Sequence, residues 1–88
     1  MQSKFEKIKQ KYTASFAQKQ ADLQQAWDDK DITQLHNLLH KLAGSSGSYG
    51  FKDLSDKCQQ AMTYTRNHNP ENDPKLEKTL KLLFELLG

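Results

Sequence analysis

The sequence predicts an all-α protein that folds as an antiparallel up-down-up-down four-helix bundle. Leu, Lys and Gln are the commonest of its 88 residues and valine is absent, so helix propensity is high and strand propensity is low. Apolar residues recur at spacings of three and four along four segments of the chain. The connections between these segments are short, so we expect consecutive helices to be neighbours in space.

The first segment has the pattern of one long amphipathic helix. Its apolar face consists of Phe5, Ile8, Tyr12, Phe16, Leu23 and Trp27. The polar run from Asp28 to Asp31 ends this pattern. Gln34 follows Asp31 by three residues, as in a capping box, so we expect Asp31 to accept hydrogen bonds from the first-turn amides of a second helix.

The second helix carries an apolar stripe that leaves two histidines on its solvent side. The stripe consists of Ile32, Leu35, Leu38, Leu39 and Leu42. At about 100° per residue, His40 lies roughly 140° from the centre of this stripe. His36 and Asn37 are its neighbours on the exposed face, so the sequence predicts an accessible imidazole at His40.

Gly44, one turn beyond His40, has two interpretations. A glycine inside a helix costs about 1 kcal/mol relative to alanine, and on the face of His40 it would leave the ring uncovered. In the second interpretation Gly44 is a left-handed C-cap, and the residues that follow it are already loop. Three of the four glycines fall between Gly44 and Gly50, and we expect a turn region there.

Two further helices complete the predicted bundle. The third has an apolar stripe formed by Phe51, Leu54, Cys58, Ala61, Met62 and Thr65. The segment NHNPENDP has the composition of a loop, and Asp73 is expected to cap the fourth helix with Pro74 at its first position. The fourth stripe consists of Leu76, Leu80, Leu83, Phe84 and Leu87, widened by Leu82 and Leu86.

Length and composition restrict the class of protein. We expect residues 1–88 to form one domain with a single core. Cys58 is the only cysteine, so the chain can form neither an internal disulfide nor a thiolate metal cage. The net charge of +2, without a cluster of Lys and Arg, argues against nucleic-acid binding. With no membrane-spanning apolar run and no signal-peptide pattern, a cytoplasmic protein is expected.

The segment HKLAGSSGSYGFKDLSDKCQQ, which begins at His40, resembles the histidine-containing phosphotransfer domain family. That family's motif is a phosphorylatable histidine, an apolar residue two positions later, then Lys-Gly-Ser-Ser or a variant, and further on a second glycine, a leucine and often a cysteine. The resemblance extends from Asp31 to about Thr65. The matching residues, in order and spacing, are His40, Leu42, Gly44, Ser45, Ser46, Gly50, Leu54 and Cys58.

The resemblance implies a phosphoryl carrier in a two-component phosphorelay. His40 would accept a phosphoryl group from the phospho-aspartate of a receiver domain and pass it to another receiver. The implied partners are receiver domains of response regulators, with a hybrid sensor kinase as a further candidate, and no membrane or nucleic acid. The family's receivers supply the metal ion, so Mg²⁺ is expected on the partner, whereas this chain is expected to bind no cofactor or metal and to have no catalytic apparatus of its own.

The surroundings of His40 suggest supporting roles for eight residues. A face without acidic side chains suits an incoming phosphoryl group, because a carboxylate would repel it. Expected phosphoryl-supporting or partner-supporting residues are Lys41, Gly44, Ser45 and Ser46. The expected partner-docking face consists of Thr33, His36, Asn37 and Gly47. Ordinary alternatives exist, since Lys41 can be a solvated lysine and the serines can serve turn chemistry.

One departure from the family pattern keeps a second function open. The family usually has lysine three residues after the histidine, where this chain has Ala43. A bundle that binds a receiver or kinase as a decoy or scaffold, without being phosphorylated, is therefore the alternative. A zinc site on His36 and His40 is a minor hypothesis, because this i, i+4 pair lacks further ligands. Tyr49 is expected to cap the bundle, and Cys58 to be a small buried side chain.

Overall fold

The computed structural model describes residues 4–88, except for the side chains of residues 4–6, 8 and 9. Every regular element in this part of the chain is a helix, which confirms the all-α prediction. The helices are α1 (Lys4–Ala14), α2 (Phe16–Asp28), α3 (Ile32–Ser48), α4 (Lys52–Arg66) and α5 (Asp73–Leu87). None of the helices in the described residues is long and apolar enough to cross a membrane.

The long first helix predicted from the sequence is interrupted at Ser15. The amide of Ser15 donates to the carbonyl of Tyr12 at 3.0 Å, three residues back, and its hydroxyl donates to the same oxygen at 2.6 Å. A serine hydroxyl bound to a nearby carbonyl competes with regular helical bonding, which explains the break. The predicted apolar positions Phe5 and Ile8 lie outside the described side chains. Farther along, Phe16 and Leu23 are buried as predicted.

Asp31 joins the end of α2 to the start of α3. Its carboxylate accepts from the amide of Gln34 at 3.1 Å, as the capping pattern predicts. Its own amide donates back to Ala26 at 2.9 Å, and that of Lys30 to Trp27 at 3.1 Å. These two bonds form a Schellman motif in which Lys30 takes the left-handed conformation, with φ of 56°. The polar run therefore ends one helix and caps the next.

Helix α3 continues through the residues that the sequence assigned to a turn. It extends to Ser48, so Gly44 lies inside the helix and the C-cap interpretation of Gly44 is wrong. Gly50 has the terminating role instead, with φ of 84°. Its amide donates to Gly47 at 3.2 Å, and the amide of Phe51 donates to Ser46 at 2.8 Å, which again forms a Schellman motif. This way of ending the helix requires a residue that adopts positive φ without strain, and Gly50 is that residue.

Helix α5 begins next to a short contact between a histidine and a carboxylate. Asn72, not Asp73, is its N-cap residue, so the predicted cap is wrong by one position. The Asp73 carboxylate instead lies 2.6 Å from Nε2 of His68, across the loop. A carboxylate in the first turn still interacts favourably with the amino end of the helix dipole. Pro74 follows at the start of the helix, where its missing N–H has no helical partner to lose.

One apolar cluster lies between the helices. Helix α2 contacts α3 and α5, helix α4 contacts α3 and α5, and α1 contacts α2. The fully buried members of the cluster are mostly leucines of α3 and α5. Tyr12 extends the cluster into α1. The ring of Tyr49 stacks on the ring of Tyr12 with the two centroids 4.3 Å apart, which agrees with the predicted capping position of Tyr49. Leu82 and Leu86 remain exposed at 38% and 42%, so they do not join the core.

Candidate functional site

His40 lies in the middle of α3, with its side chain exposed. On either side of it in the helix, Leu39 and Leu42 are buried in the core, and they fix the rotation of α3 about its axis. Gly44 follows on the same face, and a Cβ atom at Gly44 would meet nothing within 4 Å. The approach to the imidazole is therefore open from the C-terminal side of the helix.

An open groove of about 480 Å³ runs beside His40, between α3 and α4. Among the described residues, its walls carry no carboxylate, and the one permanently charged side chain in them is that of Arg66. Such a groove admits a negatively charged group to the histidine without repulsion from its walls. The lining residues are His40, Ala43, Gly44, Gln59, Met62, Thr63 and Arg66.

His36, one turn before His40, is held by α4. Its Nδ1 atom lies 2.8 Å from the hydroxyl oxygen of Thr65. The same hydroxyl donates to the carbonyl of Met62 at 2.9 Å, so Thr65 joins the His36 ring to the backbone of α4. The half-buried, hydrogen-bonded ring of His36 contrasts with the exposed ring of His40.

Lys41, Ser45 and Ser46 lie away from the groove that contains His40. Lys41 and Ser45 line a different groove of about 300 Å³, between α2 and α3. The Ser45 hydroxyl is 2.5 Å from the Tyr12 hydroxyl and 3.3 Å from the carbonyl of Leu42. Ser46 is fully buried and donates to the carbonyl of Ala43 at 3.2 Å. Both hydroxyls thus have partners of their own in the unphosphorylated chain, and the expected hydrogen bonds from these serines to a phosphoryl group on His40 stay a prediction.

The predicted docking face is a continuous strip along α3. Thr33 and Asn37 are exposed on it, and His36 is half-buried at its edge. Because the helix does not end at Gly44, the strip continues within α3 to Gly47, the last residue of the expected docking face. A Cβ atom at Gly47 would lie 3.5 Å from Oγ of Ser55, so this end of the strip is next to α4.

Neither the two α3 histidines nor Cys58 forms part of a metal site in the described residues. No three His, Cys, Asp or Glu side chains in that part of the chain come together to hold a metal ion. Cys58 is completely buried in the core, and burial raises the pKa of its thiol to about 12. A thiol that stays protonated at neutral pH is a poor nucleophile and a poor ligand.

The family model of the Hpt domain matches residues 7–88, nearly the whole chain. The chain belongs to the Hpt domain family. Comparisons with curated proteins and with solved structures returned no match. Hpt domains are phosphocarrier modules of two-component phosphorelays, which carry the phosphoryl group on histidine and interact with receiver domains. The resemblance recognised in the segment from His40 to Gln60 is thereby confirmed.

In this Hpt domain the groove beside His40 has a second wall, formed by residues of α4 that the sequence did not predict. Gln59, Thr63 and Arg66 come from α4 and were not among the predicted site residues. They are spaced by four and three residues, so they share one edge of that helix. The sequence does show these three residues as a polar edge of α4 beside the apolar Met62. It does not show that this edge faces His40, because the packing of α4 against α3 decides which edge does.

Proposed function

We propose that this Hpt domain carries a phosphoryl group on His40, accepting it from the phospho-aspartate of one receiver domain and donating it to another. The observation that carries the proposal is the exposed imidazole beside an open groove whose described lining residues include no carboxylate, with Gly44 leaving its approach uncovered. Of the three histidines, His36 is bound by Thr65 and His68 by Asp73.

The transfer itself needs little from the carrier. The unprotonated ring nitrogen of His40 attacks the phosphorus of the acyl phosphate in line with the P–O bond that breaks. A P–N bond forms, the electron pair of the P–O bond returns to the aspartate as a carboxylate, and the remaining ring proton can leave to water. Phosphoryl transfer depends mainly on positioning and charge stabilisation. In this proposal the receiver and its Mg²⁺ ion position the phosphoryl group and stabilise most of its charge. The Hpt domain contributes a rigidly placed imidazole.

A four-helix antiparallel bundle is the scaffold that we propose for this role. The contacts of α2 with α3 and α5, and of α4 with the same two helices, support a closed ring of four helices. Within it, Ala43 contacts Ser55 near one end of α3, and His36 contacts Thr65 near the other, as expected for antiparallel neighbours. In this arrangement α1 extends the first bundle helix beyond Ser15. One domain over residues 1–88 and a cytoplasmic location remain predictions from the sequence.

The experiment that tests the function is transfer from phosphorylated receivers. The chain is incubated with a panel of receiver domains phosphorylated on aspartate, and label on the chain is followed over time. We expect label that is lost in acid and stable in alkali, as is typical of phosphohistidine, and that returns to a second receiver. Binding of receivers without any label on the chain would contradict the proposal and would favour the decoy or scaffold alternative.

A further inference from the structure

Leu82 and Leu86 give α5 an exposed apolar edge. They are the large apolar side chains that stay exposed among the described residues, at 38% and 42%. Because they are four residues apart in one helix, they lie next to each other on one face. A single exposed leucine is ordinary, whereas adjacent apolar residues with polar residues around them are typical of an interaction site.

Both leucines line an open groove of about 400 Å³ between α4 and α5, which we call the α4–α5 groove. It follows the edge of α4 that faces away from His40. Asp53 and Lys57 in this groove are roughly 150° around the helix axis from Gln59 and Arg66 in the groove beside His40. A protein bound in the α4–α5 groove therefore leaves the approach to the imidazole open. The described lining residues are Asp53, Asp56, Lys57, Leu82, Glu85 and Leu86.

Carboxylates surround the two leucines. Three of the six described lining residues are acidic and one is basic, in a chain whose net charge is +2. Asp53, Asp56 and Glu85 are exposed, and none of them has an ion-pair partner among the described residues. The Lys57 ammonium donates to the side-chain oxygen of Gln60 at 3.4 Å, toward the later turns of α4. An adjoining groove adds one more lysine and no further carboxylate, so carboxylates still outnumber ammonium groups by three to two.

An apolar stripe with acidic borders fits a basic amphipathic helix. Such a helix lays its apolar face into a groove and places its lysines or arginines at the borders, where they meet the carboxylates. Anionic lipid headgroups and nucleic acid fit less well, because the same carboxylates repel their phosphates. A second copy of the groove also fits less well, because a symmetric contact brings two surfaces of the same net charge together.

We propose that the α4–α5 groove binds a basic amphipathic helix of a partner protein and so tethers the Hpt domain while His40 stays accessible to receivers. Apolar side chains of the partner helix cover Leu82 and Leu86, and its basic side chains lie beside the carboxylates of α4 and α5. A tethered carrier meets receivers on the same partner at a raised effective concentration. The surface is separate from His40, so the inference does not depend on phosphorylation of that residue.

The test uses a synthetic helical peptide of leucine and lysine, with its leucines on one face, as the probe. The peptide is titrated into the isotope-labelled chain, and the shifts of the amide NMR signals identify the residues that it contacts. We expect saturable shifts along the facing edges of α4 and α5, with the amides around His40 unaffected. A peptide with glutamate in place of lysine is expected to bind much more weakly, because its charge matches that of the groove.

Leu82→Ser combined with Leu86→Ser is expected to weaken binding of the probe by at least about tenfold, because the apolar area that the probe buries is lost. Both side chains are already exposed, so the chain should stay folded, which circular dichroism checks. Asp56→Asn combined with Glu85→Gln is expected to weaken binding roughly threefold to tenfold at low salt. Asp22→Asn is the matched control, because it removes a carboxylate beside the groove between α2 and α3 and should leave the affinity unchanged.

Binding that maps to the α4–α5 groove, is lost in the leucine double variant and is retained in Asp22→Asn supports the proposal. Absence of saturable binding, equal binding of the glutamate peptide, or shifts centred on α3 overturns it. Sedimentation velocity of the chain alone tests the remaining occupant. Self-association that the leucine double variant abolishes would assign the groove to a second copy and overturn the proposal. A chain that binds the probe as expected but is never phosphorylated on His40 would overturn only the proposed function.

Discussion

Ser55 on α4 donates its hydroxyl proton to the carbonyl oxygen of Ala43 on α3 at a distance of 2.9 Å. The same carbonyl also accepts from the Ser46 hydroxyl at 3.2 Å. Ala43 belongs to the helical turn that follows His40, so this buried contact joins the histidine-bearing helix to its neighbour immediately behind the site. Buried polar contacts therefore hold this turn of α3 in place in the Hpt domain, whereas His40 and Gly44 on its other face are exposed.

Ser55→Ala is expected to lower the free energy of unfolding by about 1 kcal/mol, because a buried hydrogen bond between helices is lost. Urea denaturation followed by circular dichroism measures it. Ser48→Ala is the matched control, since the exposed hydroxyl of Ser48 donates to the carbonyl of Gly44 in its own helix. We expect a change of less than about 0.5 kcal/mol there. Equal decreases in the free energy of unfolding in both variants would show that the hydrogen bond between α3 and α4 contributes no more than one within a helix.

Gly44 and Gly50 are expected to respond to alanine in opposite directions. Gly44 lies inside α3 with open space around it, so Gly44→Ala should stabilise the fold by about 0.5 to 1 kcal/mol. Gly50 has φ of 84°, so Gly50→Ala should destabilise it by about 1 to 2 kcal/mol. Thermal or urea unfolding of both variants gives the comparison. Destabilisation by Gly44→Ala would mean that α3 does not continue through this position as described.

Gly44→Leu is expected to slow phosphoryl transfer from a receiver while the chain remains folded. The added side chain projects into open space on the face of His40 and would cover the approach to the ring. Transfer rates from one phosphorylated receiver measure the effect, with Gly44→Ala as the smaller control. If leucine and alanine give the same rate as the parent chain, the bare helix face has no role in docking.

Cys58 is expected to resist thiol reagents in the folded chain and to destabilise the fold at alkaline pH. Burial raises the pKa of this thiol from 9.0 to about 12. Between those values the unfolded chain releases the proton and the folded chain retains it, so folding stability falls as pH rises through this range. Native and urea-unfolded samples treated with a thiol reagent at pH 8 should differ strongly in rate. Rapid modification of the native chain would contradict the described burial.

Cys58→Ala isolates the thiol's share of the alkaline effect. The variant removes the titrating group, so its stability should decline less steeply between pH 9 and 12 than that of the parent chain. Tyr12 remains in both chains, but its hydroxyl pKa is raised by burial and also by the charge of Cys58, so the difference between the chains includes this coupling. An identical pH dependence in the two chains would show that Cys58 does not contribute.

The sequence predicted the parts of the fold that depend on local pattern. The apolar stripes of α3, α4 and α5 are buried largely as expected, because a period near 3.6 directly identifies the face of a helix that packs. The Asp31 cap depends on a side chain and an amide three residues apart, and it too was predictable. Exposure of His40 followed from the same periodicity, because the buried leucines beside it determine the direction of the ring.

The incorrect predictions concern choices between local alternatives that tertiary packing decides. Ser15 could have continued a helix, yet its hydroxyl bonds to Tyr12 and interrupts it. The glycines from Gly44 to Gly50 could have formed a loop, yet Ser46 is fully buried and α3 continues to Ser48. Arg66 could not be assigned to the site at all, because it is 26 positions away from His40 in the sequence and reaches it only through the packing of α4.

Site mapping of the phosphoryl group tests the central claim most directly. The parent chain, His40→Gln and His36→Gln are each incubated with the same phosphorylated receiver, and the labelled residue is identified by mass spectrometry under alkaline conditions. Circular dichroism checks that each variant is folded. We expect it to be, because an exposed substitution at His40 should change the free energy of unfolding by less than about 0.5 kcal/mol. We expect phosphohistidine at His40 in the parent chain and in His36→Gln, and no label in His40→Gln. Label retained by a folded His40→Gln chain would contradict the account.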